Sequence, residues 1–316
     1  LALGLCLTSN PVNAQSPAWI VTGTMNDGFG DLAIDVGDMD GDGTSDLVVA
    51  TLSDDDPAFG GGPYLLAISG ATGSTIHRTD GSAPDFQLSS LTSLGDLDQD
   101  GVGEFAIGTA WPSGGIPLGG SVTVASAVAA LPGFPSQFVT YVSAGFGANF
   151  EQYGNDVALL DDIDSSGEPN LAVGVPGFTF FRGAVRTVDL TSFGTLTWET
   201  LGPTGSTNRF GNEVEAIGDV DGDGFRDLLV RAPFAGFGDI DVLSGVDGSL
   251  IQTLTATSAQ NSFGSEVVAI GDVDGDQQAD FAIGLPGAGP QQEGRVDVYS
   301  SSSIATGPIY SVAGNA

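Results

Sequence analysis

The stretch Asp219–Leu228, D-V-D-G-D-G-F-R-D-L, puts acidic side chains at its positions 1, 3, 5 and 9 and glycines at positions 4 and 6. Acids at alternate positions of a tight loop aim several oxygens at one point, which suits a hard cation such as Ca²⁺ with its six to eight oxygen ligands. Glycine supplies the positive φ that such a curl needs. The pattern recurs, beginning at Asp38, Asp96, Asp162, Asp219 and Asp272, with 53 to 66 residues between successive starts. A supersecondary unit repeated at this period limits the chain to a few architectures.

The flanks of the loop repeat with it. An aromatic–glycine pair stands nine residues upstream in four copies, at Phe29-Gly30, Tyr153-Gly154, Phe210-Gly211 and Phe263-Gly264; the second copy has Gln87-Leu88 there. Short apolar runs follow each loop, at Leu47–Ala50, Phe105–Ile107, Leu171–Val173, Leu228–Val230 and Phe281–Ile283. Runs this short, bounded by Gly, Asp and Pro, read as strands, so each loop closes a β-hairpin. A third strand is predicted at Tyr64–Ile68, Ser121–Ala125, Ala184–Leu190, Asp239–Leu243 and Arg295–Tyr299. A fourth is predicted at Thr75–Arg78, Gln137–Tyr141, Leu196–Thr200, Leu250–Leu254 and Pro308–Val312.

Four antiparallel strands per unit, repeated radially, make a β-propeller. Five blades fill the chain from about residue 29 onward, and the expected class is all-β. An EF-hand array fails, because loop position 12 holds Val49 and Val230 where a bidentate Glu is required. Trp19–Val21 is one strand too many: it lies where a fourth strand would precede Phe29. We therefore expect either Trp19–Val21, the last strand or the apolar Leu1–Leu7 to pair with a neighbouring molecule; a five-stranded final blade or a disordered end is the alternative. Residues 1–22 are read as an apolar arm or signal-peptide remnant plus this surplus strand, and residues 23–316 as the propeller. Val12-Asn13-Ala14 before Gln15 has the form of a signal-peptidase site.

Composition narrows the function. The net charge is −33, with 40 acidic residues against seven Lys+Arg, all seven of them Arg. That balance speaks against nucleic acid or an anionic membrane as partner. No stretch approaches the roughly 20 apolar residues of a membrane span. Cys6 is the one cysteine and His77 the one histidine. With no lysine and no Ser or Cys nucleophile beside a histidine in a recognisable motif, no catalytic set emerges.

The aromatic–glycine pair, the D-x-D-G-D-G-x-x-D loop and the apolar-Gly-x-Pro that follows resemble the FG-GAP repeat, the unit of the integrin α-subunit propeller and of many bacterial surface proteins. The resemblance covers most of the chain. It implies Ca²⁺ bound through side chains at positions 1, 3, 5 and 9 and the carbonyl at position 7. The implied first site is Asp38, Asp40, Asp42 and Asp46 with the Thr44 carbonyl. The second is Asp96, Asp98, Asp100 and Glu104 with Val102; there Gln99 replaces the position-4 glycine. The third is Asp162, Asp164, Ser166 and Asn170 with Glu168, and with two carboxylates it is expected to bind most weakly. The fourth is Asp219, Asp221, Asp223 and Asp227 with Phe225. The fifth is Asp272, Asp274, Asp276 and Asp280 with Gln278; Gln277 takes the position-6 glycine's place. These loops contain close to half of the chain's 40 acids.

Up to five Ca²⁺ ions, a secreted or cell-surface location and a structural or adhesive role follow as expectations, with protein partners or copies of the chain as ligands. A carbohydrate-binding propeller is the alternative, with Trp111 in the loop to Gly120 as its best aromatic platform. A polysaccharide-acting enzyme is the third class. Asp54-Asp55-Asp56, outside the repeated loops, reads as a solvated cluster.

Overall fold

The computed structural model describes residues 19–22, 29–51, 64–80, 88–110, 119–128, 137–144, 151–191, 195–205, 207–234, 238–255 and 263–314, with backbone alone for 80, 127–128 and 137–144. Residues 1–18, Asp54–Asp56 and Trp111 lie outside them. Twenty strands form five four-stranded antiparallel sheets. Blade 1 is β1 (Leu32–Asp35), β2 (Leu47–Ala50), β3 (Tyr64–Ile68) and β4 (Thr75–Asp80). Blade 2 is β5 (Ser90–Gly95), β6 (Glu104–Thr109), β7 (Ser121–Val128) and β8 (Gln137–Ala144). Blade 3 is β9 (Val157–Leu159), β10 (Asn170–Val175), β11 (Ala184–Asp189) and β12 (Leu196–Leu201). Blade 4 is β13 (Glu213–Ala216), β14 (Leu228–Ala232), β15 (Asp239–Leu243) and β16 (Leu250–Leu254). Blade 5 is β17 (Val267–Gly271), β18 (Asp280–Leu285), β19 (Arg295–Tyr299) and β20 (Tyr310–Ala313), with a 3₁₀ segment, Ser301–Thr306, before β20.

Every acidic loop joins the first strand of its blade to the second, as the repeat predicts, so the loops share one rim. First strands of successive blades are neighbours (β1 with β5, β5 with β9, β9 with β13, β13 with β17) and form the inner wall. The second and third strands carry most of the buried apolar side chains, because both of their faces meet other blades.

Separate apolar clusters fill the four junctions. Leu229, Ile240, Val242 and Leu254 of blade 4 meet Phe281, Ile283, Leu285 and Tyr299 of blade 5. Blades 1 and 2, 2 and 3, and 3 and 4 are joined in the same way. No cluster joins blade 5 to blade 1 among the described residues.

The surplus strand takes a different form from the one expected. β20 completes blade 5, and Trp19–Thr22 forms no strand. Trp19 instead donates its indole N–H to the Gly70 carbonyl (2.8 Å) and packs with Val21 and Phe29 on the face of blade 1 that holds Val49, Tyr64, Leu66 and Ile68. Trp198 on β12 makes the same contact one junction along, donating to the Gly245 carbonyl at 3.0 Å. Both rings rest on glycines of the hairpin turn between third and fourth strands, Gly73 and Gly248, where a Cβ would strike the indole. Trp19 thus fills the place of a preceding blade's fourth strand without pairing as one. Trp198→Phe puts a smaller ring in the indole's place and removes the N–H, leaving a gap in the junction core and a buried carbonyl one donor short. It is expected to cost about 2–4 kcal/mol, read from the urea midpoint.

Candidate metal loops and central cavity

Each acidic loop curls around the carboxylate at position 1. In the first loop Asp38 accepts backbone N–H groups from Gly41 (2.8 Å), Asp42 (3.0 Å) and Gly43 (2.7 Å). Asp219 accepts from Gly222, Asp223 and Gly224, and Asp272 from Gly275, Asp276 and Gln277. Asp96 and Asp162 do the same with fewer donors. The position-5 carboxylates Asp42, Asp100, Asp223 and Asp276 accept the N–H of position 7, which places Thr44, Val102, Phe225 and Gln278. In the third loop Ser166 instead donates its hydroxyl to the Glu168 carbonyl (3.3 Å).

The turns need positive φ at positions 4 and 6. Gly41, Gly43, Gly222 and Gly224 supply it at φ 79 to 94°. Gln99 (φ 62°), Ser165 (φ 59°) and Gln277 (φ 73°) adopt it as L residues, which is strained. The loop therefore forms without glycine there. Gln277→Gly keeps the N–H donated to Asp272 and is expected to stabilise by about 0.5–1 kcal/mol, measured as a shift in urea midpoint.

Position 9 does two jobs. Its side chain is buried in every loop: Asp46, Glu104, Asn170, Asp227 and Asp280 are at most 2% exposed. Asp46 accepts from Met39 N (2.8 Å) on its own loop and from Gly70 N (2.9 Å) on the hairpin 24 residues away. Asp227 repeats this with Val220 N and Gly245 N, and Asp280 with Val273 N and Ser301 N. Glu104 accepts from Leu97 N, and Asn170 from Ile163 N. The position-9 group thus locks the loop to its blade. Burial pushes the Asp227 carboxyl up to about 6, against the N–H bonds from Gly245 and Val220.

Four loops bring ligand-type oxygens together, with one oxygen per residue inside a 4.8 Å span. The sets are Asp38, Asp40 and Asp42; Asp96, Asp98 and Glu104; Asp219, Asp221 and Asp227; and Asp272, Asp274 and Asp276. The first and fifth thus use positions 1, 3 and 5, and the second and fourth positions 1, 3 and 9. All donors are hard oxygens, which fits Ca²⁺ or Mg²⁺ rather than a softer metal. The third loop brings no such set together among the described residues; Asn170 Nδ2 turns a donor toward Asp164 Oδ2 (3.3 Å). Its neighbour Asp161 instead accepts from Arg226 N (2.7 Å) and Nε (3.0 Å) of the fourth loop, a cationic tie between blades 3 and 4.

A cavity of about 440 Å³ lies on the inner wall, lined by residues of all five blades. Asp31, Asp156, Glu213, Glu215 and Glu266 bring five carboxyl groups to it. Two of them tie blades together: Asp156 accepts Val214 N (2.9 Å) and Glu215 accepts Ala269 N (2.9 Å). Burial pushes Asp156 up to about 7. Burial likewise pushes Glu213 up to about 7, despite Arg231 at 3.3 Å. Sequence reasoning passed over this group, yet a signal existed: an acid stands two residues after the glycine of the aromatic–glycine pair at Asp156, Glu213 and Glu266.

His77 lies on the outer strand β4, where its ring nitrogen bonds the Thr79 hydroxyl (2.9 Å). No helix among the described residues is long and apolar enough to cross a membrane.

Comparison with known proteins adds three findings. Residues 210–247 match the FG-GAP repeat family. The chain is similar to integrin alpha-PS3 of Drosophila melanogaster, 31% identical over 157 residues that cover 45% of this chain and 14% of the relative. It is 38% identical over 96 residues to integrin alpha-PS5 of the same organism, covering 27% and 10%. The matched stretches are thus a small part of these relatives' length. Among solved structures, Saccharomyces cerevisiae Sqt1 aligns over 87% of this chain and 62% of its own, with a TM-score of 0.50 and 10% identity, a likeness of fold alone. The chain is a five-bladed β-propeller with an FG-GAP repeat in its fourth blade and integrin α chains among its relatives.

Proposed function

We propose that the protein is a calcium-stabilised extracellular propeller that makes protein–protein contacts, with other proteins or with copies of itself, and performs no catalysis. The observation that carries this reading is the set of four carboxylate clusters along one rim, in a fold whose relatives are integrin α chains. Ca²⁺ would be held by the position-1 and position-3 carboxylates of the first, second, fourth and fifth loops, with position 5 or 9 completing each set. Carbonyls of Thr44, Val102, Phe225 and Gln278 are the further ligands we assign. The third loop, with Asp162, Asp164, Ser166, Glu168 and Asn170, is assigned the weakest affinity.

What the ion supplies is charge. Several carboxylates in one loop repel each other unless a cation sits among them. Millimolar-range affinity, about 10⁻⁴–10⁻³ M for extracellular modules, would reserve the folded form for calcium-rich surroundings. The contact surfaces lie elsewhere on the blades that the loops keep in shape. Trp198 is taken up in packing between blades 3 and 4 and Trp19 in packing on blade 1, which weakens the carbohydrate reading to Trp111 alone.

Beads coated with the protein test the proposal. Clumping, or capture on protein-coated surfaces, is expected in Ca²⁺ and lost in EDTA. Beads that stay dispersed on every protein surface yet bind a glycan array would replace the adhesive reading with the carbohydrate one.

A further inference from the structure

Three loops meet on the rim opposite the acidic loops, where the chain turns from second to third strand and from one blade to the next. They are residues 176–183 between β10 and β11, 202–212 between β12 and β13, and 233–238 between β14 and β15. Backbone bonds tie them together: Arg209 N donates to the Phe181 carbonyl (3.0 Å) and Phe234 N to the Asn208 carbonyl (3.3 Å). The Arg209 guanidinium lies over two rings, 4.9 Å from the centre of Phe181 and 5.5 Å from that of Phe234.

Charge sets this place apart. The chain has 40 acidic residues, yet none falls in these three loops, which hold Arg182 and Arg209. Arg186, Arg226, Arg231 and Arg295 each meet a carboxylate within 3.3 Å. Among the described residues neither Arg182 nor Arg209 does; Arg182 Nε donates instead to the Gly202 carbonyl (2.5 Å).

Apolar surface stands beside these cations. Phe180 is 90% exposed and Phe234 66%. Thr179, Phe180 and Phe181 are three L residues in a row at positive φ (46°, 57° and 67°). That conformation is costly for any residue with a Cβ, and strain kept at one spot points to a use there. The repeat does not demand the patch. The matching loop of blade 5, residues 286–294, has no aromatic and no arginine and carries Glu293. Gln152, which precedes Tyr153 as Arg209 precedes Phe210, is buried.

We propose that this patch is the surface on which a partner protein docks an acidic side chain flanked by apolar ones. The assignment rests on the reading of the protein as one that makes protein–protein contacts. A ring over a guanidinium engages its face and leaves the N–H edge to take a carboxylate in a two-bond fork. The rings also hold the side chain in place, so little rotamer freedom is lost on binding. Phe180 and Phe234 supply apolar area to bury, and aromatics with arginine dominate the energetics of such contacts. An extended polyanion is a poor fit, because two guanidinium groups stand against a net charge of −33. A second copy carries that same charge and is disfavoured by repulsion.

The probe is an array of short peptides with one glutamate between leucines, paired with the same peptides carrying glutamine. Binding is read on the full chain in saturating Ca²⁺. Glutamate peptides are expected to bind at least tenfold more tightly than their glutamine pairs. Arg209→Gln and Phe234→Ala are each expected to weaken that binding at least tenfold. Phe180→Gly is expected to weaken it too without lowering the melting temperature, because glycine accepts the φ of 57°. Equal binding of glutamate and glutamine peptides overturns the proposal, as does binding unchanged in the variants. Binding of uronate-bearing glycans but of no peptide gives the patch to carbohydrate and overturns it. So does self-association in sedimentation velocity that Arg209→Gln abolishes while no peptide binds. If beads coated with Arg209→Gln clump or are captured as the parent is, adhesion stands and the patch assignment falls. If glutamate peptides bind through Arg209 but coated beads engage no protein surface, the patch assignment stands and adhesion falls.

Discussion

EDTA is expected to lower the melting temperature by roughly 10–20 °C, and added Ca²⁺ to restore it. At free Ca²⁺ tenfold above Kd each filled site stabilises by about 1.4 kcal/mol. Four sites then contribute about 6 kcal/mol, and each kcal/mol moves the midpoint of a chain of this size by about 2–4 °C. The loops explain why the effect is collective. All lie on one rim, and neighbours are tied by the Arg226–Asp161 ion pair and by Gln278 Oε1, which accepts Asp219 N at 3.2 Å. Asp219→Asn is expected to remove about a quarter of the calcium-dependent gain, and Asp162→Asn almost none of it. A melt indifferent to Ca²⁺ would remove the structural role from all five loops.

The second large effect is one of pH and belongs to the central cavity. Asp156 and Glu213 each have a folded pKa of about 7, well above the usual carboxylate range, with burial the leading cause in both. Raised pKa values mean that the folded state keeps protons which the unfolded chain has lost. Their stabilising contribution is therefore complete below about pH 4 and is lost as pH rises through about 7. With Ca²⁺ saturating, so that the loops stay filled, raising the pH from 5 to 8 is expected to cost about 3 kcal/mol through Asp156 alone. Asp156→Asn keeps an acceptor for Val214 N and should flatten that slope, as read from urea midpoints across the range. A slope unchanged in the variant would place the titration elsewhere.

The repeat made the architecture readable to an unusual depth. Because the loop recurs with its flanks, the ranges predicted for β2, β3, β15, β16 and β19 agree with the structure to within about two residues, and the blade count follows. What failed is instructive. Trp19–Val21 has strand-like residues in a fourth strand's place, but Trp19 binds through its ring and one N–H, and no ladder forms. The double use of Asp46 and Asp227 was hidden because their second partners, Gly70 and Gly245, belong to a hairpin turn some 20 residues onward. Position-9 acids therefore read only as candidate ligands. Gln99 and Gln277 looked like breaks in the pattern, yet the loop's backbone bonds hold both in the left-handed conformation. The cavity carboxyls were missed for another reason. Acidic residues are read as solvated, and only the meeting of five first strands half-buries Asp156 and Glu213.

Each blade is built from four strands consecutive in the chain, and no described strand of one end is borrowed by the other. Mechanically, the described residues put no apolar cluster between blades 5 and 1, so the described packing holds each of these two blades to one neighbour. Amide exchange should then run as a gradient, fastest in β4 and β20 and slowest in β10 and β14, so that resistance to unravelling depends on what flanks the two end blades.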